Sequence, residues 1–403
     1  NNASTIDYVY DGDSRLSSIS DGIHTIGYEY DEYDRITKTT ENIDSRDFVF
    51  EVVLDDYGRV EDEIYPSGYT ITNNYNSAGI LTDIVDQNDV PIWKADVVNA
   101  LGQFEQVTKG NGVSTVYGYD AHHRPTSITA GSIVNFSYEF DPVKGNLNWR
   151  KDELHGPRED FDYDELNRLK WAKYDGQETN YLDIAYEANG NIKSKTDAAS
   201  NYIYDATQPH AVSTLEGYKN IPDQNPQNII YNHFNKVSKI TEGDYEMNFT
   251  YGVDEFRKKT ELYNASVLTK TKYIFGDYEV ELDAANNERK IHYIAGGDGL
   301  AAIYIEEPGT APGEGDLYYA YADHLGSLVA LQDKNGNIQR QSFDPWGRRR
   351  DVDDWGCDNP ERINIVDIGY TGHEHLNEFG IINMTGRLYD CLLYTSPSPR
   401  DRG

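Results

Sequence analysis

The sequence predicts an all-β fold: repeated antiparallel β-hairpins joined side by side into a continuous spiral sheet. Three observations predict it. A turn signal recurs at intervals of 18 to 27 residues, aromatic pairs two residues apart precede most turns, and the chain is poor in the apolar residues of a thick core.

The turn signal starts at an acidic or amide residue, taken as the origin of each unit. The origins are Asp11, Asp31, Asp55, Asn76, Asn99, Asp120, Asp141, Asp164, Glu187, Asp205 and Asn232. The longest gap holds an inserted loop from Ile221 to Pro226. A fixed distance between turn residues marks a repeat architecture. Asp and Asn can hydrogen-bond the backbone two residues on and so start a turn. Three residues after the origin stand Gly58, Gly79, Gly102, Gly190, Asn167, Asn235, Ser14 or Asp34. Many of these tolerate the positive φ that hairpin turns demand.

The aromatic pairs lie three and one residues before the origin. They include Tyr8/Tyr10, Tyr28/Tyr30, Tyr117/Tyr119, Tyr138/Phe140, Phe161/Tyr163 and Tyr202/Tyr204. Residues two apart on a strand share a face. Four residues after the origin Arg recurs (Arg15, Arg35, Arg59, Arg124, Arg168), and an apolar residue such as Leu16, Ile36 or Leu169 follows. A second apolar position at +8 (Ile19, Ile84, Val107, Ile128, Ile240) has the opposite parity to +5. A β-bulge in each unit is one account of that break. Because Asp-x-x-x-Arg recurs, it is read as turn initiation with an exposed ion pair of small worth. A one-site enzyme does not need the same residues several times. No helical apolar period accompanies these strands, which excludes a parallel sheet with crossover helices.

Composition supports this reading. The chain of 403 residues carries 36 Lys+Arg against 69 Asp+Glu, a formal net charge of −33. Such a surface repels phosphate backbones and anionic lipid, so no nucleic-acid partner is expected. Apolar residues make up 38%, below the roughly 45–50% of an ordinary globular domain. Tyrosine is the anomaly, at 33 residues: its ring packs while its hydroxyl keeps water or a backbone partner. No apolar run is long enough for a membrane-spanning helix. Cys357 and Cys391 cannot form a disulfide framework. The chain opens at Asn1 with neither Met nor a signal-peptide core, and is read as part of something longer.

The fullest units are Tyr28-Glu-Tyr-Asp-Glu-Tyr-Asp-Arg35-Ile36 and Phe161-Asp-Tyr-Asp-Glu-Leu-Asn-Arg168-Leu169. They resemble the tyrosine–aspartate (YD) repeats of the Rhs family. Tyr186-Glu-Ala-Asn-Gly-Asn-Ile192 matches the Gly-Asn variant, and Pro209-His-Ala-Val212 resembles another recurring element. Further on stand Asp323-His-Leu-Gly-Ser327, Asn335-Gly-Asn-Ile338, Phe343-Asp-Pro-Trp-Gly-Arg348, Gly369-Tyr-Thr-Gly-His-Glu374 and Gly380-Ile-Ile-Asn-Met-Thr-Gly-Arg-Leu-Tyr-Asp390. Together these look like the Rhs repeat-associated core. The resemblance spans residues 6–390.

The resemblance implies part of a hollow Rhs shell that encloses a C-terminal toxin cargo, secreted or at the cell surface. The implied partners are that cargo, absent here, and secretion-system or cell-envelope components, with carbohydrate as an alternative. An adhesin or glycan binder would gather its aromatics on one exposed patch, whereas here they are spread unit by unit. Residues 1–260 are assigned to the YD-repeat spiral and 261–390 to the core. Residues 391–403, with Ser396-Pro-Ser-Pro399, contain no Tyr-Asp unit and are read as a non-native tail resembling translated sequencing adapter.

Many Rhs cores end with an aspartate-dependent self-cleavage. The resemblance places Asp344 and Asp390 near that apparatus, so they are the candidate catalytic residues. Aspartic catalysis needs two carboxylates that share a proton. The family motif runs on past Tyr-Asp, and its further Asp is missing here, so turnover is expected only in an intact parent. His373 and His375 fall short of the ligand number of a zinc site. His324 with Ser327 reads as a hairpin rather than a hydrolase dyad. Asp11-Gly-Asp-Ser and Asp298-Gly are turns without a calcium-ligand series, and no phosphate loop precedes a helix. No metal or cofactor is expected. Arg348-Arg-Arg350 is read as a local ion-pair patch with Asp351, Asp353 and Asp354.

Overall fold

The computed structural model describes residues 5–207, 209–219, 227–357 and 360–393. The inserted loop Ile221–Pro226 and residues 394–403 of the tail lie outside the described residues. Among those described, the chain forms thirty-six strands and one 3₁₀ turn, Tyr370–Gly372. Every strand pairing is antiparallel, and within each sheet each strand pairs with the next in sequence. An 18-stranded sheet runs from Asp7–Tyr10 to Ile192–Lys195, and an 11-stranded sheet from Asn228–Tyr231 to Ile338–Arg340. Neither closes into a barrel. The hairpin Asn201–Tyr204/Val212–Glu216 stands between them. After the second sheet come the pair Ser342–Phe343/Arg349–Arg350 and a three-stranded sheet of Glu374–Leu376, Ile381–Asn383 and Leu388–Asp390. The sequence boundary at residue 260 falls inside the strand Arg257–Asn264.

The parity break has a structural cause. In the first unit Tyr8 faces Ile19 and Val9 faces Ser18, but Tyr10 faces Leu16, leaving Ser17 as an extra residue. The same slip occurs at Glu29/Tyr30, Gly118/Tyr119 and Asp162/Tyr163. A bulge at +6 therefore turns +5 and +8 to one face, the face that carries the aromatic pair of the neighbouring strand. The expected positive φ is found at +3, from 60° at Asn167 to 94° at Gly190.

Asp, Arg and Tyr form a relay from unit to unit. Asp164 Oδ1 accepts the N–H groups of Leu166 and Arg168, and its Oδ2 accepts Arg168 Nε–H at 2.7 Å. The Arg168 guanidinium lies 4.2 Å from the ring centroid of Tyr186 in the next unit. The Tyr186 hydroxyl donates back to the Leu169 carbonyl at 2.8 Å. Arg15 with Tyr30 and Arg59 with Tyr75 repeat this geometry.

The two large sheets face each other across one core. Ile43, Phe48, Tyr69, Ile84, Trp93 and Val107 of the first meet Tyr273, Phe275, Tyr278, Ile294 and Tyr304 of the second. Tyr69 stacks on Tyr304 with centroids 3.7 Å apart, and Phe48 lies 4.3 Å from Phe275. Aromatic pairs of this kind contribute about 0.5–1.5 kcal/mol beyond their buried area.

Candidate functional site

Residues 341–357 and 360–393 dock on both large sheets through buried charge. Glu159, on the first sheet, is fully buried. Its carboxylate accepts Arg150 Nε–H at 2.7 Å, Arg350 Nη1–H at 2.9 Å and the Tyr181 hydroxyl. Arg350 also lies 3.7 Å from the Trp355 ring centroid. The basic cluster is therefore not a local patch with Asp351, Asp353 and Asp354. Arg350 turns inward because a buried carboxylate needs a paired cation, and Arg349 reaches Asn377 Oδ1 at 2.6 Å.

The second sheet holds the matching clamp. The Lys272 side chain is 4% exposed, and its Nζ lies within 3.1–3.4 Å of Glu279, Glu281, Asp367 and Glu374. Asp367 and Glu374 belong to the docked segment. Against the upward push of burial, Arg257 and Lys272 hold the Glu374 carboxyl well below the usual range. Burial pushes the neighbouring Glu279 up despite Lys272.

Asp344 and Asp390 lie at the edge of this docked segment, each near Lys195. Asp344 is 4% exposed, and burial pushes its carboxyl up against the pull of Lys195. Its Oδ1 accepts the N–H groups of Trp346 and Arg348, as in any other unit. Unlike the other Asp-x-x-x-Arg units, Arg348 makes no side-chain bond to its Oδ2 among the described residues. Burial also raises Asp390, and its Oδ1 accepts the N–H groups of Leu392 and Leu393. Lys195 itself pairs with Asp197 at 2.7 Å and lies 5.6 Å from the Trp346 ring centroid. The two candidate aspartates thus share a cation neighbour, but no hydrogen bond joins them.

The remaining sequence candidates have local partners. The Ser327 hydroxyl accepts the Thr371 N–H at 3.1 Å, while His324 Nδ1 has no partner. His373 Nδ1 meets Thr371 Oγ1 at 2.9 Å, and His375 Nε2 accepts the Tyr370 N–H at 3.0 Å. Burial pushes His375 down to about 3. Asp11 is a turn origin. Asp298 does more than a turn, accepting Trp93 Nε1–H at 2.7 Å and the Tyr117 hydroxyl. Sequence reasoning missed Glu159, Lys272 and Lys109. Their only signal is a charge on the core parity of a strand: Glu159 is two residues from buried Phe161, and Lys109 two from buried Val107.

No helix among the described residues is long and apolar enough to cross a membrane. No family model matches the chain. No curated protein matches it either. Solved structures do. The crystal structure of TcdB2-TccC3-TEV is similar over 98% of this chain, with TM-score 0.78 and 17% identity. The TcdB2-TccC3 crystal structure gives 0.77 and 16% over the same share. The Photorhabdus luminescens Tc holotoxin pore, in a TccC3 point-variant form, gives 0.78 and 17%. The chain spans about a quarter of the length of these structures, 23–24%. At this identity the likeness is one of fold: the wound antiparallel sheets and the segment docked on them follow the course of a stretch of these Tc toxin structures.

Proposed function

We infer that this chain is a wall segment of a hollow shell, in a secreted or cell-surface Rhs/YD-repeat toxin that encloses a C-terminal effector for delivery. The observation that carries the reading is the mutual docking of the motifs that resemble the Rhs core. The Tyr370 hydroxyl of one motif donates to the Pro345 carbonyl of another at 3.0 Å, and the Tyr389 hydroxyl to the Trp346 carbonyl at 2.8 Å. The fold likeness to TcdB2-TccC3 over 98% of the chain supports it further. Paired strands leave few free edges, so the mechanism is steric: a closed wall keeps proteases and the producing cell from the contents. The test restores the native downstream sequence and exposes the product to protease. The cargo is expected to survive far longer than free cargo; digestion at equal rates overturns the reading.

A second reading concerns the parent protein. The burial of Asp344, with Asp390 near the same lysine, favours aspartate-dependent self-cleavage in a parent protein that carries the further Asp of the family motif. Replacing Asp390 by Asn in the full-length protein should abolish self-processing; unchanged processing rejects this role.

A further inference from the structure

A cavity of about 730 Å³ lies between the two large sheets and the C-terminal three-stranded sheet. Its size falls in the roughly 300–1,000 Å³ range of small-molecule sites. The wall is mostly apolar and aromatic, with Tyr117, Tyr293 and Tyr321 among its residues.

The carboxylates on this wall are already engaged. Glu374 pairs with Arg257 and Lys272, and Glu279 with Lys272 and the Tyr293 hydroxyl. Asp298 accepts from Trp93 and Tyr117, and Asp277 from the Tyr65 hydroxyl at 3.3 Å. Asp323 accepts the N–H groups of Leu325 and Ser327. The donors are not so engaged. Lys109 is 4% exposed; its Nζ donates to the Ala301 carbonyl at 3.3 Å and lies 5.2 Å from the Tyr321 ring centroid. No carboxylate of the described residues lies within ion-pair distance of it. On the same wall, Arg257 Nε and Nη1, Thr115 Oγ1 and His324 Nδ1 are buried without partners. Thr115 faces Val107 across neighbouring strands, so it sits diagonally from Lys109 on the same face.

Buried polar groups are normally satisfied, and an unpaired buried charge costs several kcal/mol. An excess of donors on an aromatic wall lacks a guest with a flat apolar body and acceptor oxygens. We propose that the cavity binds a small organic anion, an aromatic body carrying one carboxylate or sulfonate, with Lys109 as its ion-pair partner and the Thr115 hydroxyl as a second donor. Burial pushes the Lys109 amine down while Asp298 holds it up.

The probes are anilinonaphthalene sulfonate, which is anionic and fluoresces in apolar sites, and uncharged phenylnaphthylamine. Lys109→Met keeps the stem and removes the charge. It should weaken sulfonate binding about tenfold or more, the loss of a charge-assisted bond, and leave the neutral probe unchanged. It should also raise the thermal midpoint of the ligand-free protein, because an unpaired buried charge is gone. Thr115→Val should weaken the sulfonate severalfold without unfolding the chain. Equal binding of the sulfonate by wild type and Lys109→Met, or no binding by wild type, overturns the proposal. A lowered midpoint in Lys109→Met does so too, since it marks the lysine as structural.

Discussion

The choice of tyrosine over phenylalanine one residue before most turns has a specific reason. The carbonyl at +5, or at +6 where the turn after Asp141 holds one more residue, precedes the start of the ladder to the next strand: the pairing after Leu147 begins at Trp149, and that after Leu169 at Trp171. A carbonyl left there needs a donor, and the hydroxyl of the following unit supplies it, as Tyr163 does to Leu147 at 3.1 Å. Tyr119, Tyr204 and Tyr251 make the same bond. Tyr163→Phe is therefore expected to cost about 0.5–1.5 kcal/mol, the net worth of one such bond, read as a lower urea midpoint at constant slope. Tyr57 is 84% exposed and its ring lies over Arg59 at the surface. Tyr57→Phe serves as the control and should leave the midpoint in place. Equal midpoints for both variants would show that the hydroxyl is idle.

At the level of the hairpin, much was legible because the information is local. The turn origin, the positive-φ residue and the aromatic pair all fall within about ten residues, and the +5/+8 parity break is the bulge written into the residue pattern. What holds one element to another was not legible. Glu159 and Arg350 are 191 residues apart, and Lys272 and Glu374 102 apart; no spacing rule joins such pairs. The Arg348-Arg-Arg350 cluster misled for that reason: its nearest acids in sequence are not its partners in space. The clamp at Lys272 makes the docking of Glu374–Leu376 on the second sheet testable. Lys272→Met leaves four carboxylates around a vacated cation position, and breaking a buried ion pair from one side costs about 3–5 kcal/mol. Hydrogen exchange should show residues 374–390 losing protection before the large sheets do. A variant that loses under about 1 kcal/mol and keeps uniform protection would mean that packing at Leu376, Phe379 and Ile381, not the clamp, secures the segment.

For the molecule as a whole, the two facing sheets turn an anomaly of composition into a property of stability. A chain that builds its core from tyrosine buries many phenols whose ionised form the interior refuses. Burial pushes Tyr163, Tyr251, Tyr321 and Tyr370 up to about 12 from an ordinary value of 10.0. In this window the unfolded chain has released protons that the native state still holds, so the unfolded state binds fewer and stability falls as pH rises. The contribution is complete below pH 10 and is lost on the way to 12. Each pH unit between the unfolded and native ionisation of a phenol is equivalent to about 1.4 kcal/mol, so these four groups together amount to on the order of 10 kcal/mol. That matches the entire stability of a typical fold, about 5–15 kcal/mol. The chain should therefore unfold cooperatively between pH 10 and 12, with tyrosinate absorbance rising in step with the loss of β-sheet circular dichroism. Replacing Tyr163 and Tyr251 together by Phe removes two of these proton traps, so the alkaline midpoint should move upward even as stability at pH 7 declines. Smooth ionisation of these tyrosines in a chain that keeps its sheet signal would show instead that water reaches the phenols between the sheets.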